Sequence, residues 1–171
     1  MPDWEDILRR DGPAVWRTAY RLLGHRADAD ECFQEAFRAA LEVARRGPVR
    51  HWRGLLQRLA AARAVDRLRA QARHGPRQTV RDWGALPGPA PPPSRAAEDA
   101  ELSEQLRRAL ARLPAQQAEV FCLHCLEGWS YQEVAAQLAV SVNAVGVLLH
   151  RARQQLRALL ADALNVPKGP P

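Results

Sequence analysis

Lysine is all but missing from this 171-residue chain: Lys168 stands alone beside 24 arginines. Long apolar runs are missing too. None approaches the ~18 residues that a membrane span needs, so membrane insertion is not expected. The first residues include Asp3, Glu5 and Asp6 and do not form a basic-then-apolar leader, so a cytoplasmic location is expected. Cysteine occurs three times, at Cys32, Cys122 and Cys125, an odd number that does not make a disulfide framework. The five histidines, His25, His51, His74, His124 and His150, are scattered, and no nucleophile sits beside a base. An enzyme is therefore the least supported class, and neither a cofactor nor a metal is expected. Strand-like alternation of apolar and polar residues is absent as well, which leaves an all-α fold.

Positive charge is what the chain has in excess, and it is unevenly spread. The net charge is +6 and the pI near 10.2, a balance that suits a polyanionic partner. Residues 1–97 carry 18 arginines against 11 acids, a net of +7, whereas residues 98–171 carry 7 basic residues against 8 acids, a net of −1. Between Arg38 and Arg81 lie twelve arginines and only two acids, Glu42 and Asp66. Any grip on nucleic acid is thus concentrated in the first half, although a plain basic surface would show the same composition.

Helical periodicity divides the chain into two small domains. Trp4 to Leu23 reads as one helix with Ile7, Leu8, Trp16, Ala19, Tyr20 and Leu23 on its apolar side. A second runs from about Asp28 to Arg45, opened by a capping-box-like Asp28 and Glu31, with an acidic outer face. A third runs from about Trp52 to Arg73, with Trp52, Leu55, Leu59, Ala62, Val65 and Leu68 turned inward. From Gly75 to Ala97 six prolines and three glycines describe a linker, extended around Pro89 to Pro93. Then come Leu102, Leu106, Leu110 and Leu113 on a helix, and Pro114 opening another. The expected organisation is a domain over 1–74, a linker over 75–97, a second domain over 98–163 and a tail over 164–171.

The second domain contains two helix starts eleven residues apart, the spacing of a helix-turn-helix. Ser130 and Glu133 form a capping box ahead of Val134, Ala135 and Leu138. Ser141 caps a second helix in which Val142, Val145, Leu149, Ala152 and Leu156 recur at helical spacing; in such a pair the second helix enters the major groove of DNA. An ordinary helical hairpin fits the same pattern. Just upstream, Cys122 and Cys125 form a single CxxC around His124, a weak metal signal. Ala118, Phe121, Cys122 and Cys125 lie at i, i+3, i+4 and i+7, so both thiols are expected on the buried face of a helix.

These residues resemble a known family, the small two-domain extracytoplasmic-function (ECF) type of bacterial sigma factor, within the sigma-70 family. Residues 28–37, DADECFQEAF, are similar to the family's DAEDLVQEVF. Residues 52–56 (WRGLL) through Ala60 to residues 66–69 (DRLR) are similar to its next helix, and residues 110–114 (LARLP), 119–121 (EVF) and 127–135 (EGWSYQEVA) to the opening of its C-terminal domain. The resemblance implies a transcription initiation factor that binds core RNA polymerase and directs it to promoter DNA, with an anti-sigma factor as a further partner of the kind the family has. It implies polymerase binding through Asp28, Asp30, Glu31, Gln34 and Glu35. It implies phosphate and single-strand contacts by Arg45, Arg46, Arg50, His51 and Arg53 in and around the loop ahead of the third helix, and by Arg63, Arg67, Arg69 and Arg73 along it. Upstream duplex contacts fall to Ser141, Asn143, Ala144, His150, Arg151 and Arg153.

Two departures stand out. The family's Arg-Asn pair in the third helix is Ala61-Ala62 here, and its polar TVKSRLxRA is residues 144–152, AVGVLLHRA. The alternative function is accordingly a sigma-like polymerase-binding regulator that has lost specific upstream recognition.

Overall fold

The computed structural model describes residues 2–75 and 93–164. Among them are seven α-helices and no strand: α1 Trp4–Leu23, α2 Arg26–Arg46, α3 Trp52–His74, α4 Pro93–Arg112, α5 Ala115–Phe121, α6 Tyr131–Leu138 and α7 Val142–Leu164, with a π-helical turn over Cys122–Leu126 between α5 and α6. Most of the linker stretch, and the tail beyond Leu164, lie outside the described residues.

The first three helices pack mutually, with α3 in contact with both others. Asp3 caps α1 by accepting from the Asp6 amide at 3.1 Å, and Gly24, in the left-handed region at φ 68°, ends it. Arg26 then starts α2 two residues earlier than expected. Asp28 is therefore not the cap; it lies buried inside the first turn, where its carboxylate accepts from Gln71 Nε2 at 3.2 Å. Leu8, expected on the apolar side of α1, is 47% exposed, while Ile7 is buried as expected and Val15, outside the expected set, is buried as well. Trp52 is half-buried, edge-on to Trp4 with ring centroids 4.9 Å apart.

Helix α4 reaches back to Pro93, inside the stretch read as linker, because proline is favoured in the first turn, where an amide has no partner to lose. The second half does not hang free on a tether. Ala19, Leu22, Cys32, Ala61, Ala64 and Leu68 from the first three helices share one buried cluster with Leu110, Leu113, Val120, Leu123, Val145 and Leu149. A smaller cluster around Ile7, Val15, Leu56 and Ala60 belongs to the first half alone. Helix α3 is thus buried on two sides, which is why its apolar residues do not form a single stripe.

Candidate nucleic-acid and polymerase interfaces

The helix-turn-helix forms as the capping signals require. Ser130 Oγ accepts from the Glu133 amide at 3.2 Å, and Glu133 Oε2 accepts from the Ser130 amide at 2.7 Å. The second of these holds the Glu133 carboxyl below its ordinary pKa, with the Ser130 hydroxyl contact adding to the effect. Ala139, at φ 54°, ends α6, and Ser141 Oγ accepts from the Ala144 amide at 3.0 Å to start α7. The two helices meet at 102°, within the range of helix-turn-helix units.

The outward face of α7 differs from the one that alignment with the family pattern gives. Val145, Leu149, Ala152 and Leu156 are buried against the rest of the domain, and Ala144 and Gly146 are half-covered, with Gly146 against the Tyr131 ring. Solvent meets Val142, Asn143, Val147, His150 and Arg151. Position 145 therefore faces the core, and the outward row keeps Asn143, His150 and Arg151 as donors between two valines. Arg153 lies toward the π turn, its Nη2 3.6 Å from Cys125 Sγ.

That turn corrects the expectation for the thiols. One extra residue in the turn rotates everything after it. Cys122 is fully buried and its thiol pKa is pushed up by burial, but Cys125 is exposed, so the two thiols do not share a face. His124 Nδ1 donates to the Trp129 carbonyl at 2.6 Å and its ring meets Tyr131 edge-on, tying the turn to α6. Cys32, far from both, donates to the Ala60 carbonyl at 3.3 Å, and burial pushes its pKa up to about 12. Among the described residues no group of three or more His, Cys, Asp or Glu is placed to hold a metal ion.

On the first half, Asp30, Glu31 and Gln34 are exposed along α2. Asp30 accepts from Trp16 Nε1 at 2.6 Å, while Glu31 and Glu35 accept from Arg67 Nη2 at 2.8 and 2.9 Å and Asp28 lies 3.5 Å from Arg67 Nη1. Arg67, read as a DNA contact, is the internal counter-ion of the acidic row. Arg69 is also engaged, donating to the Leu113 carbonyl of the second half. Arg46, Arg50, Arg53, Arg63 and Arg73 stand in solvent, as does Arg45, which pairs with Glu42 at 2.7 Å. His51 is exposed, and its Nδ1 accepts from the Gly54 amide at 3.0 Å, so it caps α3 as well as standing at the loop.

Four residues with no place in the sequence reading, Arg21, Gln57, Arg58 and Arg107, tie the halves together; Arg21 donates to the Leu126 carbonyl and Glu127, and Arg107 to the Leu22 carbonyl. Arg58 donates through Nε to Glu119 at 3.3 Å and through Nη1 to the Gln137 carbonyl at 2.6 Å, and Gln57 bridges Thr18 and Glu127. Only a position within the basic stretch could have pointed to Gln57 and Arg58.

An arginine-rich helical half with an exposed acidic row, joined to a helix-turn-helix, has the make-up of a two-part DNA-binding factor. Sigma-70 region 2 matches residues 7–74 and sigma-70 region 4 matches residues 103–156. The chain is 31% identical over 160 residues to the RNA polymerase sigma factor CarQ of Myxococcus xanthus, covering 93% of this chain and 90% of that protein. It is 32% identical over 161 residues to the ECF RNA polymerase sigma factor SigE of Mycolicibacterium smegmatis, covering 94% of this chain and 63% of the relative. The sigma factor RpoE of Bartonella quintana, solved in complex with the anti-sigma factor NepR, shares the fold at a TM-score of 0.55 and 18% identity, over 94% of this chain and 98% of that one. The chain belongs to the ECF sigma factors of the sigma-70 family.

Proposed function

We propose that the chain is a transcription initiation factor that binds core RNA polymerase through the exposed row of α2 and directs it to promoters, performing no catalysis itself and working in the cytoplasm. The observation that carries this reading is the coexistence, on one helical half, of the acidic row Asp30, Glu31 and Gln34 with the exposed cations Arg46, Arg50, Arg53, Arg63 and Arg73. Acids on one helix face suit a basic surface of the polymerase, and arginines around the start of α3 suit the phosphates of an opened strand. Residues 1–74 form the polymerase and opened-strand unit, and residues 98–163 the helix-turn-helix unit that reaches upstream duplex DNA through Asn143, His150 and Arg151.

Asp30→Asn with Glu31→Gln removes two charges from the row without leaving Arg67 unpaired, since Asp28 and Glu35 remain. In competition against the parent for core polymerase, the double variant should bind on the order of tenfold more weakly, because one or two charge-assisted bonds to the polymerase no longer form, with unchanged helicity. Equal competition would refute the assignment of α2. The valines beside Asn143 and His150 favour one second reading, a polymerase-binding regulator without specific upstream recognition; it predicts polymerase binding but no promoter selection.

A further inference from the structure

We infer that Trp16 is a positioning residue for polymerase docking: its indole N–H fixes the Asp30 carboxylate on the outer face of α2 without cancelling its charge. The bond crosses from α1 to α2, with Trp16 Nε1 donating to Asp30 Oδ1 at 2.6 Å. The ring that carries the donor is itself held. Trp16 stacks on Tyr20, one turn along α1, with centroids 5.0 Å apart and planes 10° from parallel, and both rings pack against the larger buried cluster. One turn in the other direction Gly12 is buried, and a Cβ there would lie 3.6 Å from the Phe33 ring, so α1 and α2 run close together where the indole spans them.

The rest of the row is held from α3 by a charged group. Arg67 Nη2 meets Glu31 Oε2 at 2.8 Å and Glu35 Oε1 at 2.9 Å, while its Nη1 lies 3.5 Å from Asp28. Arg67 therefore orients these acids and offsets part of their charge. An indole N–H has no formal charge and can only donate, so Asp30 is oriented and keeps its whole charge. Each bond occupies one carboxylate oxygen, Oδ1 of Asp30 and Oε2 of Glu31, and a carboxylate accepts on both. The second oxygens of these two exposed acids keep their capacity for an incoming guanidinium or ammonium group.

Orienting Asp30 in advance changes how tightly α2 can dock. A surface side chain that turns freely must be ordered when a partner binds, which weakens the complex. Trp16 does this ordering during folding. Because the donor is uncharged, losing it alters the short-range fit and leaves the long-range attraction between the acidic row and a basic surface intact. A tryptophan that served packing alone would affect stability and leave docking untouched. The inference rests on the proposed docking of α2 against polymerase.

Binding of the full chain to core polymerase, followed in time over a series of salt concentrations, tests it. Trp16→Phe keeps a ring against Tyr20 and removes the N–H; it should dissociate about threefold to tenfold faster than the parent, with the parent's salt dependence. Asp30→Asn should bind more weakly with a flatter salt dependence, and adding Trp16→Phe to it should change affinity by less than about twofold. Parent-like affinity of Trp16→Phe, or a penalty that persists undiminished beside Asp30→Asn, would overturn the positioning role. If Trp16→Phe loses helicity, Asp30→Glu decides, since it keeps the charge and moves the carboxylate off the indole: weaker binding at the parent's salt dependence supports the role, and parent-like affinity overturns it. Parent-like binding by Asp30→Asn itself would overturn the docking of Asp30 as well, which sets that failure apart from failure of Trp16 alone.

Discussion

Cys122 and Cys125 are three residues apart and sit in different surroundings, because a π turn separates their faces. At neutral pH a thiol-specific reagent should therefore label one site quickly, Cys125. Cys32, with its pKa pushed from 9.0 to about 12, keeps about a thousandth of its ordinary thiolate and should react only on unfolding, as should Cys122. Counting labelled thiols by mass against time checks this; two fast sites would mean the π turn is wrong. Ser130 and Glu133 give a second test at this scale. Ser130→Ala should cost about 1 kcal/mol of stability in thermal unfolding. The Glu133 carboxyl is held below its unfolded value, so its contribution is complete above the unfolded pKa and is lost as pH falls through the folded one. Melting temperatures of the parent and Glu133→Gln should accordingly differ near pH 7 and converge in acid.

Among the elements, α7 separates what can be read from sequence from what cannot. Its start, the capping box of α6 and the seam of Val145, Leu149, Ala152 and Leu156 follow from local chemistry and are present, but Val142, read as part of that seam, is exposed because it lies in the first turn of α7, ahead of the packed stretch. Which residues of α7 face outward depends on how it lies across α6, a tertiary fact: the family pattern has polar residues at positions 144, 146 and 148, and here Ala144, Gly146 and Leu148 are half-covered. The same holds for α3. Its arginines look alike in sequence, yet Arg67 neutralises Asp28, Glu31 and Glu35 while Arg63 stands in solvent, a difference set by the neighbouring helix. The exposed part of the acidic row, Asp30, Glu31 and Gln34, was legible because α2 keeps its i, i+3, i+4 spacing whichever residue begins it, but Asp28, read as a polymerase contact, is buried against Gln71 and Arg67. This division predicts that Arg67→Ala destabilises the first half by about 1–3 kcal/mol, since three carboxylates lose their partner, with Glu31 and Glu35 left partly solvated. Arg63→Ala should leave stability within about 0.5 kcal/mol and weaken promoter complexes instead. Denaturant unfolding of the two variants side by side distinguishes the roles.

For the whole molecule, the charge asymmetry and the junction act together. The first half holds most of the exposed arginines, so replacing Arg50, Arg53 and Arg63 by alanine should flatten the salt dependence of promoter binding by about three units of slope, against about one for Arg151. The proline-rich stretch reads as a linker between two domains, but the core shared across it was not legible, because no local pattern records a contact between residues as distant as Arg21 and Glu127. The central claim is that this chain selects promoters for core polymerase, and transcription in vitro from a promoter library tests it most directly. Adding the protein to core enzyme should produce defined start sites, sharing a sequence element, that core enzyme alone does not use. Stable association with core enzyme that yields no new start sites would contradict the claim.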